Sequence, residues 1–310
     1  MCSKIPSRLC ARGEIGDQSG EEPVGCCRWR ARRCTTSHAW RSRTHRFWGI
    51  CEKSLGKFSI DAEARVPTKY HFEMRKILAR LGIGAGSPPT AGSSPPYTPY
   101  AESSANFMYN LLFCDDFAAF RPAGGELKGP FATLFTEPPA VADLEALAGD
   151  PRQEGRIRYL AFSRLRTIGQ AVRPKTLLGV ITEVPLPQGL DVLAAYSEGG
   201  VRYLNQSGKI AVLEGVAAIQ PLVQQLFAAS AGIVDRIGPW DKSRLPPPAG
   251  TGSVRLTFLV SDGLYFGQGA MRTMQDDAAA GPLISCVTAL LKAVVQLSIP
   301  LSSTLLDEAS

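Results

Sequence analysis

Four β-rich segments joined by links too short to cross a sheet constrain this chain more than any other feature. They are TLLGVITEVPL (176–186), GLDVLAAYS (189–197), GVRYLNQ (200–206) and KIAVLEG (209–215), separated by PQG, EGG and SG. A parallel crossover needs about a dozen residues or more. Glycine-bearing links of this length therefore make the segments antiparallel neighbours in a meander. Within the third segment Val201, Tyr203 and Asn205 fall on one face and Arg202, Leu204 and Gln206 on the other. This alternation predicts a sheet with one face covered by helices and the other partly wet.

Helical periodicity flanks the meander. In PRQEGRIRYLAFSRLRTIGQ (151–170), Ile157, Leu160, Ala161, Leu165 and Ile168 form an apolar stripe, with Arg156, Arg158, Arg164 and Arg166 around the rest of the helix. A second helix follows the meander, with Ile219, Leu222, Val223, Leu226 and Phe227 on its apolar side. SVRLTFLVSDGLYFG (253–267) reads as a hairpin turning at Asp262-Gly263, and AGPLISCVTALLKAVVQL (280–297) as a largely buried last helix. NFMYNLLFC (106–114) is a short buried element, a strand or a helical turn.

The predicted fold class is α+β: an antiparallel sheet of about five to six strands, meander plus hairpin, with helices packed on it. The succession of elements is similar to that of profilin-like and Roadblock-like modules, which implies a fold and no activity. No apolar run approaches the roughly 18 to 20 residues of a membrane span.

The start of the chain has a different character. Residues 1–73 hold 14 of the 34 basic and 8 of the 28 acidic residues, leaving 20 of each for the remainder, so the whole +6 net charge sits there. Six of the eight cysteines and all three histidines lie there too, at Cys2, Cys10, Cys26, Cys27, Cys34, Cys51, His38, His45 and His71. This segment reads first as a non-native extension upstream of a start at Met74. It also reads as a disordered basic arm, whose interleaved Arg and Trp suit nucleic acid if the segment is expressed. A third reading is a zinc site drawn from Cys26, Cys27, Cys34, His38, His45 and Cys51, although no CxxC spacing supports it. Residues 74–83 then predict a short amphipathic helix, 84–105 a Gly/Pro/Ser linker, 106–300 a single domain and 301–310 a frayed tail.

Lack of histidine from Met74 onward argues against Ser/His/Asp and Cys/His catalysis, because histidine is the usual base near neutral pH. The leading expectation is a cytoplasmic protein of bacterial style with reduced Cys114 and Cys286, without a cofactor. It would serve as a non-catalytic interaction or regulatory module for a protein partner not yet identified. Its candidate binding residues are Trp240, Asp241, Lys242 and Arg244, an aromatic beside charges in the Pro-rich loop 238–252, with Tyr203 and Asn205 at a hairpin tip as a weaker set. The alternative is an enzyme or small-ligand protein holding a divalent cation on Asp115, Asp116 and Asp262, since hard cations prefer carboxylate oxygens. The glycines of GLYFGQG (263–269) lack the rest of a dinucleotide fingerprint and read as a turn.

Overall fold

A computed structural model of the chain describes residues 96–122 and 126–298. The readings made for residues 1–73, 74–83 and 301–310 lie outside the described residues. Four helices come first: α1 (Ser103–Leu111), α2 (Pro130–Phe135), α3 (Val141–Gly149) and α4 (Gly155–Thr167). Strands β1 (Leu177–Leu186), β2 (Gly189–Tyr196), β3 (Val201–Leu204) and β4 (Ile210–Leu213) follow as the predicted meander. Helix α5 (Gln220–Val234), the hairpin β5 (Ser253–Val260) and β6 (Gly263–Ala270), and helices α6 (Met271–Asp276) and α7 (Ala280–Ser298) complete the order.

The six strands form one antiparallel sheet in the order β4-β3-β2-β1-β5-β6, so the hairpin adds to the free side of β1 and the class is α+β as expected. NFMYNLLFC is helical rather than extended: α1 buries Met108, Tyr109 and Leu111. The body also starts earlier than residue 106. Tyr100 is buried, its hydroxyl donates to the Leu190 carbonyl, and its backbone N–H donates to Asn106.

Helices cover both faces of the sheet, where alternation in β3 suggested one wet face. All four β3 residues are buried, Arg202 included. One layer is built by α1 to α4 against Ile181, Val192, Ala194, Tyr196 and Leu259. The other is built by α5, α6 and α7 against Val180, Leu193 and the outward row Val254, Leu256, Phe258 and Val260 of β5. Arginine at position 202 looks solvent-facing in a period-2 pattern, but the α1–α4 layer closes over it.

The two layers differ in charge. Glu183 and Arg255 are directly opposed across β1 and β5, both buried, and point into the α1–α4 layer. Helix α5 carries no charged residue at all, and α7 carries Lys292 alone. Two stretches in that layer, Ala217–Val234 and Ala280–Ser298, are long and apolar enough to cross a membrane, where the sequence reading found no such run. Both lay Ile219, Val223, Leu226, Leu283, Val287 and Leu290 into the core beside the sheet, and a core helix has the same length and composition as a span.

Close approach of α4 to the sheet depends on Gly155. A methyl group there would stand 2.2 Å from the Leu178 carbonyl oxygen of β1, so backbone rather than a mobile side chain would have to yield. Gly155→Ala is expected to destabilise the fold by about 1–3 kcal/mol, the usual cost of overpacking, read as a lower urea midpoint with an unchanged slope.

Candidate functional site

The loop before β5 was the foremost sequence candidate, and its residues divide into two roles. Trp240 is half-buried: its ring meets Phe266 edge-on at 4.8 Å, its indole N–H donates to the Ser243 carbonyl, and Lys242 lies 5.7 Å above it. Its backbone N–H donates to the Leu264 carbonyl at 2.7 Å, which ties the loop to the edge strand β6. Asp241 and Lys242 are exposed.

Arg244 is not a surface contact. Its guanidinium donates through Nε to Asp115 Oδ2 at 2.6 Å, through Nη2 to Asn110 Oδ1 at 2.9 Å and through Nη1 to the Tyr109 hydroxyl at 3.3 Å. The group lies 4.0 Å from the centroid of Phe113 and 4.6 Å from that of Tyr97, and the Tyr97 hydroxyl donates to the Arg244 carbonyl. Five donors in a fixed plane suit this cage as no other side chain would. The network continues inward, since the Tyr109 hydroxyl donates to Glu183 Oε1 at 2.7 Å. Burial is the main reason the Glu183 carboxyl sits above the usual range, with Arg255 and Tyr109 working in the opposite direction.

The hairpin candidates are structural as well. Tyr203 is buried and donates to Asp191 Oδ2 at 3.0 Å, so it does not line an exposed sheet face. Asn205 stabilises the β3–β4 turn, where its Oδ1 accepts from the backbone N–H of Ser207 and Lys209.

The three carboxylates proposed for a cation are not brought together. Asp115 pairs with Arg244, Asp116 accepts the N–H of Ala118 and Ala119 at the head of a 3-10 turn, and Asp262 accepts from Tyr265 and the Lys175 N–H. Among the described residues no three His, Cys, Asp or Glu side chains stand as a metal-binding group. Cys114 is buried, and burial pushes its thiol well above the ordinary value, so the reactive thiolate is disfavoured.

A different site lies at the head of α4, in a cleft of about 340 Å³ between that helix, the β2–β3 turn and the end of β4. Glu154 precedes the helix, and its Oε1 accepts from Arg156 Nε at 2.6 Å and Nη2 at 2.5 Å. The same oxygen is 3.4 Å from Arg202 Nη2, which also meets Glu214 Oε1 at 2.6 Å. Both guanidiniums flank the ring of Tyr196, at 5.4 Å and 6.0 Å from its centroid. Arg156 and Arg202 are each 1 % exposed, a rare condition for arginine. Burial opposes ionisation of Glu154, yet the two arginines overcome it and hold the carboxyl below its usual range.

Two further carboxylates complete the lining. Glu198 Oε2 accepts the Gly155 N–H at 2.7 Å and so caps the helix, which favours negative charge there. Glu214 reaches the cleft from the end of β4, and exposed Arg152 stands on its rim. Two buried guanidinium atoms, Arg156 Nη1 and Arg202 Nε, have no hydrogen-bond acceptor among the described residues. Sequence reasoning missed this cluster because Arg156 was assigned to the outer side of α4. The usable signal was an Arg inside the apolar run GVRYL and a Glu two residues ahead of another Arg at a helix start.

Two outcomes test these assignments. Arg244→Ala leaves Asp115, Asn110 and the Tyr109 hydroxyl without their guanidinium, so it should cost about 3–5 kcal/mol of unfolding free energy, measured by urea denaturation. Burial holds the Glu198 carboxyl above its ordinary 4.5. The folded chain thus binds that proton more tightly than the unfolded chain, and stability from this group is present at acid pH and lost as pH rises past that range. Glu198→Gln should therefore lower the thermal midpoint less than wild type as pH is raised from about 4.5 to about 7. The sequence matches no protein-family model, and no curated protein is similar to it.

Proposed function

We propose that residues 96–298 form a non-catalytic binding module of a regulatory kind, whose ligand enters the cleft at the head of α4. The observation that carries this reading is the pair of buried guanidiniums, Arg156 and Arg202, joined through one oxygen of Glu154 on an open cleft. Preformed concave sites with a few convergent polar groups are where small ligands bind. Holding two arginines out of water is costly unless their partners stay in place, so the cleft is rigid before any ligand arrives. Its floor is also poor at proton exchange near neutral pH, because Glu154 is held low and Arg156 high by each other. That combination favours recognition over turnover.

A protein partner at the Trp240 loop is the second reading. It is favoured by a half-exposed indole set between Phe266 and Lys242, the composition of an interface anchor.

Incubation of the full chain with a small-molecule extract, followed by native mass spectrometry, tests the first reading. One molecule should be retained and released at its original mass, and Arg152→Ala at the rim should weaken its retention. Release of a chemically altered molecule would turn the reading toward an enzyme, and retention of none would end it. Trp240→Ala should leave this retention intact while weakening capture of a protein partner.

A further inference from the structure

A sheet can grow only at its edges, and the two edges of this one are unlike. Strand β4 is four residues long and stands between Lys209 and Glu214. Short length and flanking charge keep an edge from pairing with another chain. Strand β6 has eight residues, GLYFGQGA, with neither a charge nor a proline among them. Its register with β5 runs unbroken from Val260 and Gly263 to Ser253 and Ala270, so no bulge turns this edge away.

Two hydrogen bonds fix which backbone groups of β6 face outward. The Met271 N–H donates inward to the Gly252 carbonyl just ahead of β5, whereas the Leu264 carbonyl accepts from Trp240 on the outer side. Direction alternates along an antiparallel strand, so Gly263, Tyr265, Gly267 and Gly269 bond to β5. Leu264, Phe266, Gln268 and Ala270 face away from it. Trp240 takes up the Leu264 end. Beyond it, the N–H and C=O of Phe266 and Gln268 and the N–H of Ala270 have no partner among the described residues. The Ala270 carbonyl, at the N-cap of α6, belongs to the first turn of that helix.

We propose that β6 of a second copy of this chain completes this edge, antiparallel about a two-fold axis at Gln268, giving one continuous sheet with six strands from each copy. A two-fold contact must be self-complementary, and the free stretch from Phe266 to Ala270 is centred on Gln268. The Gln268 N–H and C=O of each copy pair with those of the other, and each Ala270 N–H donates to the Phe266 carbonyl of the other copy. Side chains agree with this register. Phe266 comes opposite Ala270, a large residue beside a small one, and no charge from Gly263 to Met271 repels an identical strand. Half-buried Trp240, packed on Phe266, borders the contact with apolar surface. The edge is separate from the cleft at the head of α4, so the inference is independent of what binds there.

Sedimentation equilibrium of the full chain, with amide hydrogen exchange, tests it. The wild type should reach twice the 33.3 kDa of one chain, and exchange at the Gln268 and Ala270 amides should slow as concentration rises. Ala270→Pro removes the two outer hydrogen bonds. Its φ of −62° already fits proline, and its N–H has no partner within its own copy, so the fold is kept. The dissociation constant should rise by about tenfold or more, the scale of two hydrogen bonds. Gln268→Glu keeps the acceptor for Arg255 Nε at 2.8 Å but sets two carboxylates face to face on the axis. It should also shift the chain toward monomer, with an unchanged urea midpoint at high dilution. A wild type that stays monomeric up to its solubility limit overturns the proposal, as does a dimer that neither substitution weakens. Protection of Gln268 and Ala270 only on addition of a different protein also overturns it, and assigns the edge to a foreign strand.

Discussion

Burial of the sheet on both faces is the constraint from which the rest of the structure follows. A strand covered on one side can turn its charged residues to water. Here β1, β3 and β5 cannot, and Glu183, Arg202 and Arg255 lie inside the protein. Each must be neutralised where it stands, because an isolated buried charge costs far more than any single contact returns. The fold meets this demand with cross-strand opposition of Glu183 and Arg255, with Tyr109 as a hydrogen-bond donor to Glu183, and with the carboxylates of Glu154 and Glu214 set against Arg202. All of this chemistry is confined to the layer of α1 to α4. The opposite layer packs mainly Val, Leu, Ile and Phe against the sheet, and its buried carboxyl, Asp191 of β2, is held by the Tyr203 hydroxyl and the Gln206 N–H.

The meander and hairpin were legible because short glycine links and period-2 alternation are local properties. The helices α4, α5 and α7 were legible for the same reason, as 3.6-residue stripes. What could not be read is which side of an element faces a second layer. Arg202 and Arg156 have the side chain that usually marks a solvent face, and a pattern of residue types treats them as outward. Only the position of a distant element shows that they are enclosed. Arg244 is the clearest instance: its partner Asp115 lies 129 residues away, beyond the reach of any spacing argument. Trp240 and Arg244 share one loop and one candidate site in the sequence, but one is an edge contact and the other an internal clamp.

Carboxylates show the same limit from the other side. Asp115, Asp116 and Asp262 share a chemistry that suits a cation, yet a guanidinium, a 3-10 turn and a tyrosine hydroxyl take them up separately. The cleft at the head of α4 gathers Glu154, Glu198 and Glu214 from a helix start, a turn and a strand end, three places with no shared motif. Its acidic groups are interleaved with guanidiniums, so the cluster is a lattice of alternating sign rather than a pole of one sign.

The Arg244 clamp also orders events during synthesis. Helix α1 leaves the ribosome long before residue 244 has been added, and until then Asp115, Asn110 and Tyr109 have no guanidinium to receive. The first layer can collect its apolar residues against the meander as soon as β1 to β4 emerge, but its polar interior stays open. Closure comes only when the loop ahead of β5 arrives and strand β5 brings Arg255 opposite Glu183. Non-local completion of this kind slows folding and keeps the chain exposed for longer. The last third of the sequence therefore acts as the lock on the first helix, and a nascent chain stopped before it would hold an uncompensated row of polar groups in a half-built core.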